Sequence, residues 1–186
     1  MIQDEAVNEI VSSLKTDPLV KAIFLKGSMG RGEDDEYSDI DLYCLVEKQD
    51  EEHFLQNRLT HLRAYKDLLF YDDIFIIAPQ IIAVYENMLH VDLFTVTEKT
   101  FKEKDYFKVL YDPQNRLEKF HKTQNLMLSS DEFRDDVMDV VWFLFQYKKS
   151  ADRGNDIWSV SMLRHVMIHL GRVWFYYTII NRTGHS

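Results

Sequence analysis

The chain has 186 residues, with 31 acids against 22 bases, a net charge of −9 with neutral histidines, and an aromatic share of 13%. That aromatic content is too rich for a disordered chain, and the acidic balance excludes a general nucleic-acid-duplex binder, which needs a basic face. A single cysteine, Cys44, excludes an internal disulfide framework; the longest apolar runs, such as 140–145 and 173–180, fall short of the roughly 20 residues that span a bilayer.

The N-terminus is acidic where a secretion leader would be basic, so the chain reads as cytoplasmic with no membrane partner. Val7, Ile10, Val11 and Leu14 recur at helical spacing and predict an amphipathic helix over 3–15, ended by Asp17-Pro18. Residues 19–26 form a short apolar run, a strand stopped by Gly27-Ser28. A polar loop with the acidic run 33–36 follows. Residues 39–46 alternate acid and apolar before turning wholly apolar, which predicts a strand entering a core. Leu55, Leu59, Leu62 and Leu69 predict a second helix over about 50–69. Residues 80–85 and 89–96 are rich in β-branched and aromatic side chains and read as a hairpin; 109–111 is a last short strand before Asp112-Pro113.

Beyond Pro113 the pattern turns helical. Ser129 and Glu132 have capping-box spacing, ahead of a stripe of Phe133, Val137, Val140, Val141 and Leu144. Gly154 stops that helix. Leu163, Val166, Met167, Leu170, Val173, Trp174 and Tyr177 stripe a final one. These apolar stripes read as core; Trp142, Trp158 and Trp174, with Tyr176 and Tyr177, read as core or as the lining of a substrate cleft. The organisation is therefore an α/β core over 1–115 and a helical region over 116–186. That region ends soon after Arg182 with no later helix to pack on, and so reads as a shortened domain.

Chemistry concentrates in two stretches, Lys26-Gly27-Ser28-Met29-Gly30-Arg31-Gly32 and Ser38-Asp39-Ile40-Asp41-Leu42. Strand side chains alternate faces, so Asp39 and Asp41 point the same way. Two neighbouring carboxylates repel, and a hard divalent cation such as Mg²⁺ resolves the conflict. Standing alone, the pair would read as two solvated acids on an open sheet face. Gly27-Ser28 alone would read as a turn. Together they specify more: a Gly-Ser at a strand end, opening a short helix, lets backbone N–H groups approach phosphates near a metal held on the next strand. Asp92 lies inside the apolar run 90–94, where an acid needs a partner. If its strand neighbours 39–46, it completes a cluster of three carboxylates; otherwise it is a satisfied edge-strand acid.

These residues resemble the DNA polymerase β-like nucleotidyltransferase superfamily, and most of all its bacterial antibiotic-modifying and minimal members. The resemblance covers about 20–112 and rests on Gly27-Ser28, Asp39-x-Asp41 and the later Asp92. It implies an α/β (α+β) nucleotidyltransferase core with a mixed sheet, followed by C-terminal helices. It implies that Asp39, Asp41 and Asp92 are the catalytic, Mg²⁺-binding acids, with two ions, and that Gly27, Ser28 and Arg31 hold the nucleotide. The helical part resembles the substrate region of aminoglycoside adenylyltransferases. There Lys149, ahead of Arg153 and Asp156, matches a lysine that meets the nucleotide phosphates. ATP or another NTP is the implied co-substrate, and Asp92 is either a metal ligand or the general base.

Three readings of function follow. The first is transfer of a nucleoside monophosphate, AMP from ATP, to a hydroxyl of a small cationic acceptor such as an aminoglycoside-like antibiotic, with antibiotic resistance as the consequence. The acidic net charge suits such an acceptor. The second is a minimal nucleotidyltransferase that modifies a partner protein, as in toxin–antitoxin pairs; a homodimer is also open. The third is a non-catalytic nucleotide-binding module. His165 and His169 stand at i, i+4, a metal-binding spacing, but no nearby acid or cysteine is expected to complete a site and packing already explains the helix, so they read as structural. The Arg116 to His121 spacing known from helical ribonucleases falls at a strand-to-helix connection and is read as coincidence.

Overall fold

The computed structural model describes residues 1–101, 105–122, 124 and 128–183. The chain divides into two compact units, 1–126 and 127–186.

The first unit runs α1 (Ile2–Leu14), β1 (Val20–Leu25), α2 (Gly27–Arg31), β2 (Ile40–Val46), α3 (Glu51–Leu62), β3 (Leu68–Phe75), β4 (Pro79–Tyr85), β5 (His90–Val96), β6 (Lys108–Tyr111) and α4 (Glu118–His121). Its six strands form one sheet in the order β3-β4-β5-β2-β1-β6. Among the described residues β2 and β5 pair in parallel and the other strand pairs are antiparallel, so the sheet is mixed.

One face of the sheet is closed by helices. Ala6, Val7, Ile10, Val11 and Leu14 of α1 and Phe54 and Leu62 of α3 pack against Ile23, Leu42, Cys44, Leu93 and Ile81. Each fully buried Ile or Leu here contributes roughly 1.5–3 kcal/mol of transfer free energy. On the other face Phe24, Tyr43 and Phe94 stack in a row across three strands, with ring centroids 5.2 and 4.3 Å apart. Phe101, Phe107 and Leu117 cover that row, with Phe120 packed against them. Leu117 is fully buried in this second core.

The expected helix over 50–69 ends early. Helix α3 stops at Leu62, and Leu68–Phe75 forms the edge strand β3, paired along its length with β4. Leu69 stands one heptad after Leu62 and so fits a helical stripe, but it is 63% exposed on that strand. Partnering with β4, which no local spacing encodes, decided the segment.

The second unit is a helical hairpin of α5 (Ser130–Ala151) and α6 (Asp156–Thr183). The capping box forms: Ser129 Oγ accepts from the Glu132 N–H, and Glu132 accepts from the Ser129 N–H at 2.8 Å. Gly154 turns the chain at φ +68°. Between the helices, Phe133 meets Tyr176, and Phe143 stacks on both His165 and His169. His169 Nδ1 lies 2.8 Å from Oδ1 of buried Asp136, and 3.6 Å from Asp139. Acids do stand beside His169, then, one helix away rather than adjacent in sequence. The structural reading of that histidine gains a partner. The reading of the stripes as core is corrected: Val141, Met167, Trp142, Trp158, Trp174 and Tyr177 are all more than half exposed. A two-helix unit has one inner seam and cannot bury stripes this wide.

No helix among the described residues is long and apolar enough to cross a membrane.

Candidate active site

Strand alternation places Asp41 of β2 on the sheet face opposite α1 and α3, just beyond the aromatic row. Asp92 is its direct register partner on β5. The expected neighbouring of these strands is therefore realised, and as a parallel pair, in which equal side-chain directions are kept along the whole ladder. Asp39 stands one residue before β2, with its side chain 58% exposed.

His90 links them. Its Nδ1 lies 3.2 Å from Asp39 Oδ1, and its Nε2 lies 3.1 Å from Asp92 Oδ1. Sequence reasoning missed this residue. The signal was present: His90 precedes Asp92 by two on one strand, so the two must share a face. The hydrogen bond to Asp92, then the charges of Asp92 and Asp39, hold the His90 imidazole above its ordinary proton affinity. Asp41 is also raised, first by burial and then by the neighbouring charges of Asp92 and Asp39. Burial and the Asp41 charge push the Tyr43 hydroxyl up as well. Cys44 faces the helix side; burial raises its thiol well above the ordinary range, and it plays no part in the site.

Helix α2 begins at Gly27, φ +61°, where a Cβ would fall 2.0 Å from Asp41 Oδ2. Only glycine fits, for two reasons at once: the left-handed backbone and the carboxylate pressed against it. Ser28 follows, half-buried, its carbonyl accepting from the Glu33 N–H at 2.9 Å. A Cβ on Gly30 would meet the Leu25 carbonyl oxygen at 2.8 Å, so the turn can sit tight on the end of β1. Lys26, buried at the head of α2, places its Nζ 5.5 Å from the centroids of Tyr43 and Phe101. Arg31 is held by Glu33 at 2.8 Å and Asp105 at 3.4 Å, beside a cavity of about 270 Å³ lined also by Gly30, Tyr106 and Phe107.

The loop before Asp39 is pinned from α1. Gln3, 1% exposed, donates from Nε2 toward the carbonyls of Asp35, Glu36 and Ser38, each at 3.2 Å. Within the loop Ser38 Oγ donates to Asp35 Oδ1 and accepts from the Asp35 N–H. An acidic loop thus has a defined path despite its charge.

The structure brings Gly27, Asp39, Asp41 and Asp92 to one corner of the first unit, with Ser28 and Arg31 on the same short helix as Gly27. Lys149 lies on α5 in the second unit. Its Nζ stands over the Phe145 ring, and it lines a cavity of about 80 Å³ with Gln146, Ser150, Arg153, Asn155 and Trp158. Among the described residues, no three His, Cys, Asp or Glu side chains are gathered to hold a metal ion as they stand. The His90 contact engages Asp39 instead.

Residues 8–89 match the family described as polymerase beta, nucleotidyltransferase. No curated protein matches significantly. Among solved structures, the chain is similar to an aminoglycoside 6-adenyltransferase from Bacillus subtilis: 16% identity, TM-score 0.37, 97% of this chain and 69% of that one. It is similar to the CD-NTase CdnG of Bradyrhizobium diazoefficiens, solved with GTP: 24% identity, TM-score 0.34, 58% of this chain and 35% of that one. It is also similar to a nucleotidyltransferase-like protein from Exiguobacterium sibiricum: 12% identity, TM-score 0.35, 95% of this chain and 58% of that one.

Proposed function

We propose that this protein, whose residues 8–89 form a nucleotidyltransferase domain of the polymerase β superfamily, moves AMP from ATP to a hydroxyl of a small cationic acceptor. An aminoglycoside-like antibiotic is one such acceptor. The observation that carries the reading is the register of Asp41 against Asp92 beside Gly27.

The donor set fits a hard divalent cation. All three acids offer carboxylate oxygen, the preferred ligand of Mg²⁺. Asp41 is raised partly by repulsion from Asp92 and Asp39, a cost that a cation between them removes. Asp41 and Asp92, with Asp39, are the residues that would hold it. Mg²⁺ bound there would neutralise the triphosphate and stabilise the departing pyrophosphate.

The chain's own groups then divide the work. Gly27, Ser28 and Arg31 take the phosphates. The acceptor oxygen forms a bond to the α-phosphorus while the bond from that phosphorus to the bridging oxygen breaks. The electron pair of the broken bond leaves with pyrophosphate. The hydroxyl proton goes to a carboxylate or to water; Asp92 serves as that carboxylate or as a cation ligand. A general base here contributes on the order of 10²–10⁴-fold.

The test is incubation with Mg²⁺ and ATP labelled at the α-phosphate against a panel of hydroxylated amines that includes aminoglycosides. Label on a small molecule supports the proposal. Label appearing only on protein moves the function to a partner-modifying enzyme. Nucleotide binding with no transfer at all reduces it to a binding module.

A further inference from the structure

The strand register extends past Asp92. On β4 Ile82 is opposite Asp92, and on β3 Asp72 is opposite Ile82, so Asp92, Ile82 and Asp72 form one row across the sheet. The neighbouring row runs His90, Val84, Phe70. Directly opposed residues share a face, so all six lie on the face of the reacting acids. Ile82 and Val84 are half-buried, Phe70 is 54% exposed, and Asp72 is exposed.

The contrast with the reverse face is instructive. There Ile81 and Ala83 are buried under helices, and Asp73, next to Asp72 in sequence, pairs with the buried Arg58 at 2.6 Å. Asp73 is part of the fold. The Asp72 side chain has no hydrogen bond or ion pair to another of the described residues. An exposed apolar strip beginning at Asp92 and ending in an unengaged carboxylate is a surface with a polarity along it.

We propose that this strip seats the acceptor, and that the acceptor is an amphipathic amino alcohol: a hydroxyl at Asp92, an apolar body over Ile82, Val84 and Phe70, and an ammonium at Asp72. The inference rests on the nucleotidyltransferase reading for what happens at Asp92, and it narrows the small cationic acceptor to an amphipathic one in place of an aminoglycoside-like antibiotic. Strands lie about 4.8 Å apart, so two steps across the sheet separate hydroxyl from ammonium by roughly 10 Å. The occupant follows from continuity with the reacting acids and from charge. Phe70 and Val84 exclude water from the middle of the strip, which favours an apolar body over a polyhydroxylated one. Asp72 attracts a cation at its far end.

The test uses the full chain, Mg²⁺ and the non-hydrolysable analogue α,β-methylene-ATP. The probes are 8-amino-1-octanol, whose extended chain spans that separation, 1-octanol, which lacks the amine, and kanamycin. Probe binding is titrated with and without nucleotide for the parent, Asp72→Asn and Phe70→Ser. The parent should bind the amino alcohol more tightly than octanol. Asp72→Asn should weaken the amino alcohol about tenfold and leave octanol alone. Phe70→Ser should weaken both, and nucleotide affinity should be the same in all three proteins. Equal amino-alcohol affinity in parent and Asp72→Asn overturns the proposal, as does tighter binding of kanamycin than of the amino alcohol. Failure of the nucleotide to bind any of the three strikes the transferase reading instead, because probe binding is measured separately.

Discussion

Asp41 on β2 and Asp92 on β5 are direct register partners in a parallel strand pair. A parallel partner keeps both carboxylates on one face without a tight turn between them, and 50 residues of intervening chain supply the α3 crossover and two further strands. The cost of the arrangement is repulsion, visible in the raised Asp41 carboxyl.

That repulsion has a signed consequence for stability. Asp41 binds its proton more tightly in the folded chain than its ordinary value of 3.8. Its contribution is therefore fully present below that value and is lost as pH rises through the raised one. With a chelator present, Asp41→Asn should melt at or above the parent temperature at neutral pH, and the difference should shrink as pH falls toward 4. Thermal melts across that range decide it; a variant less stable at pH 7 than at pH 4, relative to parent, contradicts the cluster.

Asp39 is an exposed residue before β2, touching His90 and little else that the fold needs. Asp39→Asn should leave the melting temperature within a degree or two, since surface changes cost within roughly 0.5 kcal/mol. Nucleotide transfer should fall by about 10²-fold or more. Turnover equal to the parent's would remove Asp39 from the site.

Gly27→Ala tests the contact between α2 and Asp41. The left-handed φ alone costs an alanine roughly 1–2 kcal/mol. The new methyl would also collide with Asp41 Oδ2. The expected result is a lower melting temperature together with weakened ATP binding. Doubling the change as Gly27→Ala with Asp41→Asn should not restore binding, because the carboxylate itself is required. An alanine variant that binds ATP as well as the parent does would place the nucleotide elsewhere.

Arg58 gives a prediction independent of function. It is 1% exposed, bonded to Thr95 at 3.2 Å and to Asp73, and its Nε lacks a hydrogen-bond partner among the described residues. Asp73→Ala leaves that buried cation short of its charge partner and should cost about 1–3 kcal/mol. Asp72→Asn, one residue away but facing the other side, should cost nothing measurable. Denaturant melts of the two variants compare them directly; equal losses would mean that the faces of β3 are assigned wrongly.

The order of helices and strands up to β2, the hairpin of β4 and β5, the caps of α5 and the Gly27, Asp39 and Asp41 motif are local facts, carried by spacing, turn residues and short-range alternation. A single strand's period determines that His90 goes with Asp92. Three things were decided only by tertiary structure. Leu68–Phe75 became a strand because β4 offered it a ladder, while its leucine spacing fitted a helix equally well. Asp92 joined Asp41 because β5 inserted next to β2, a pairing of residues 51 apart that no local pattern records. His90 acquired its role through Asp39, whose loop is held by Gln3 from the first helix. Period and capping act over a few residues, whereas strand order is settled by which faces can be buried together. That is why the acids could be read from the sequence, and the surface beside them could not.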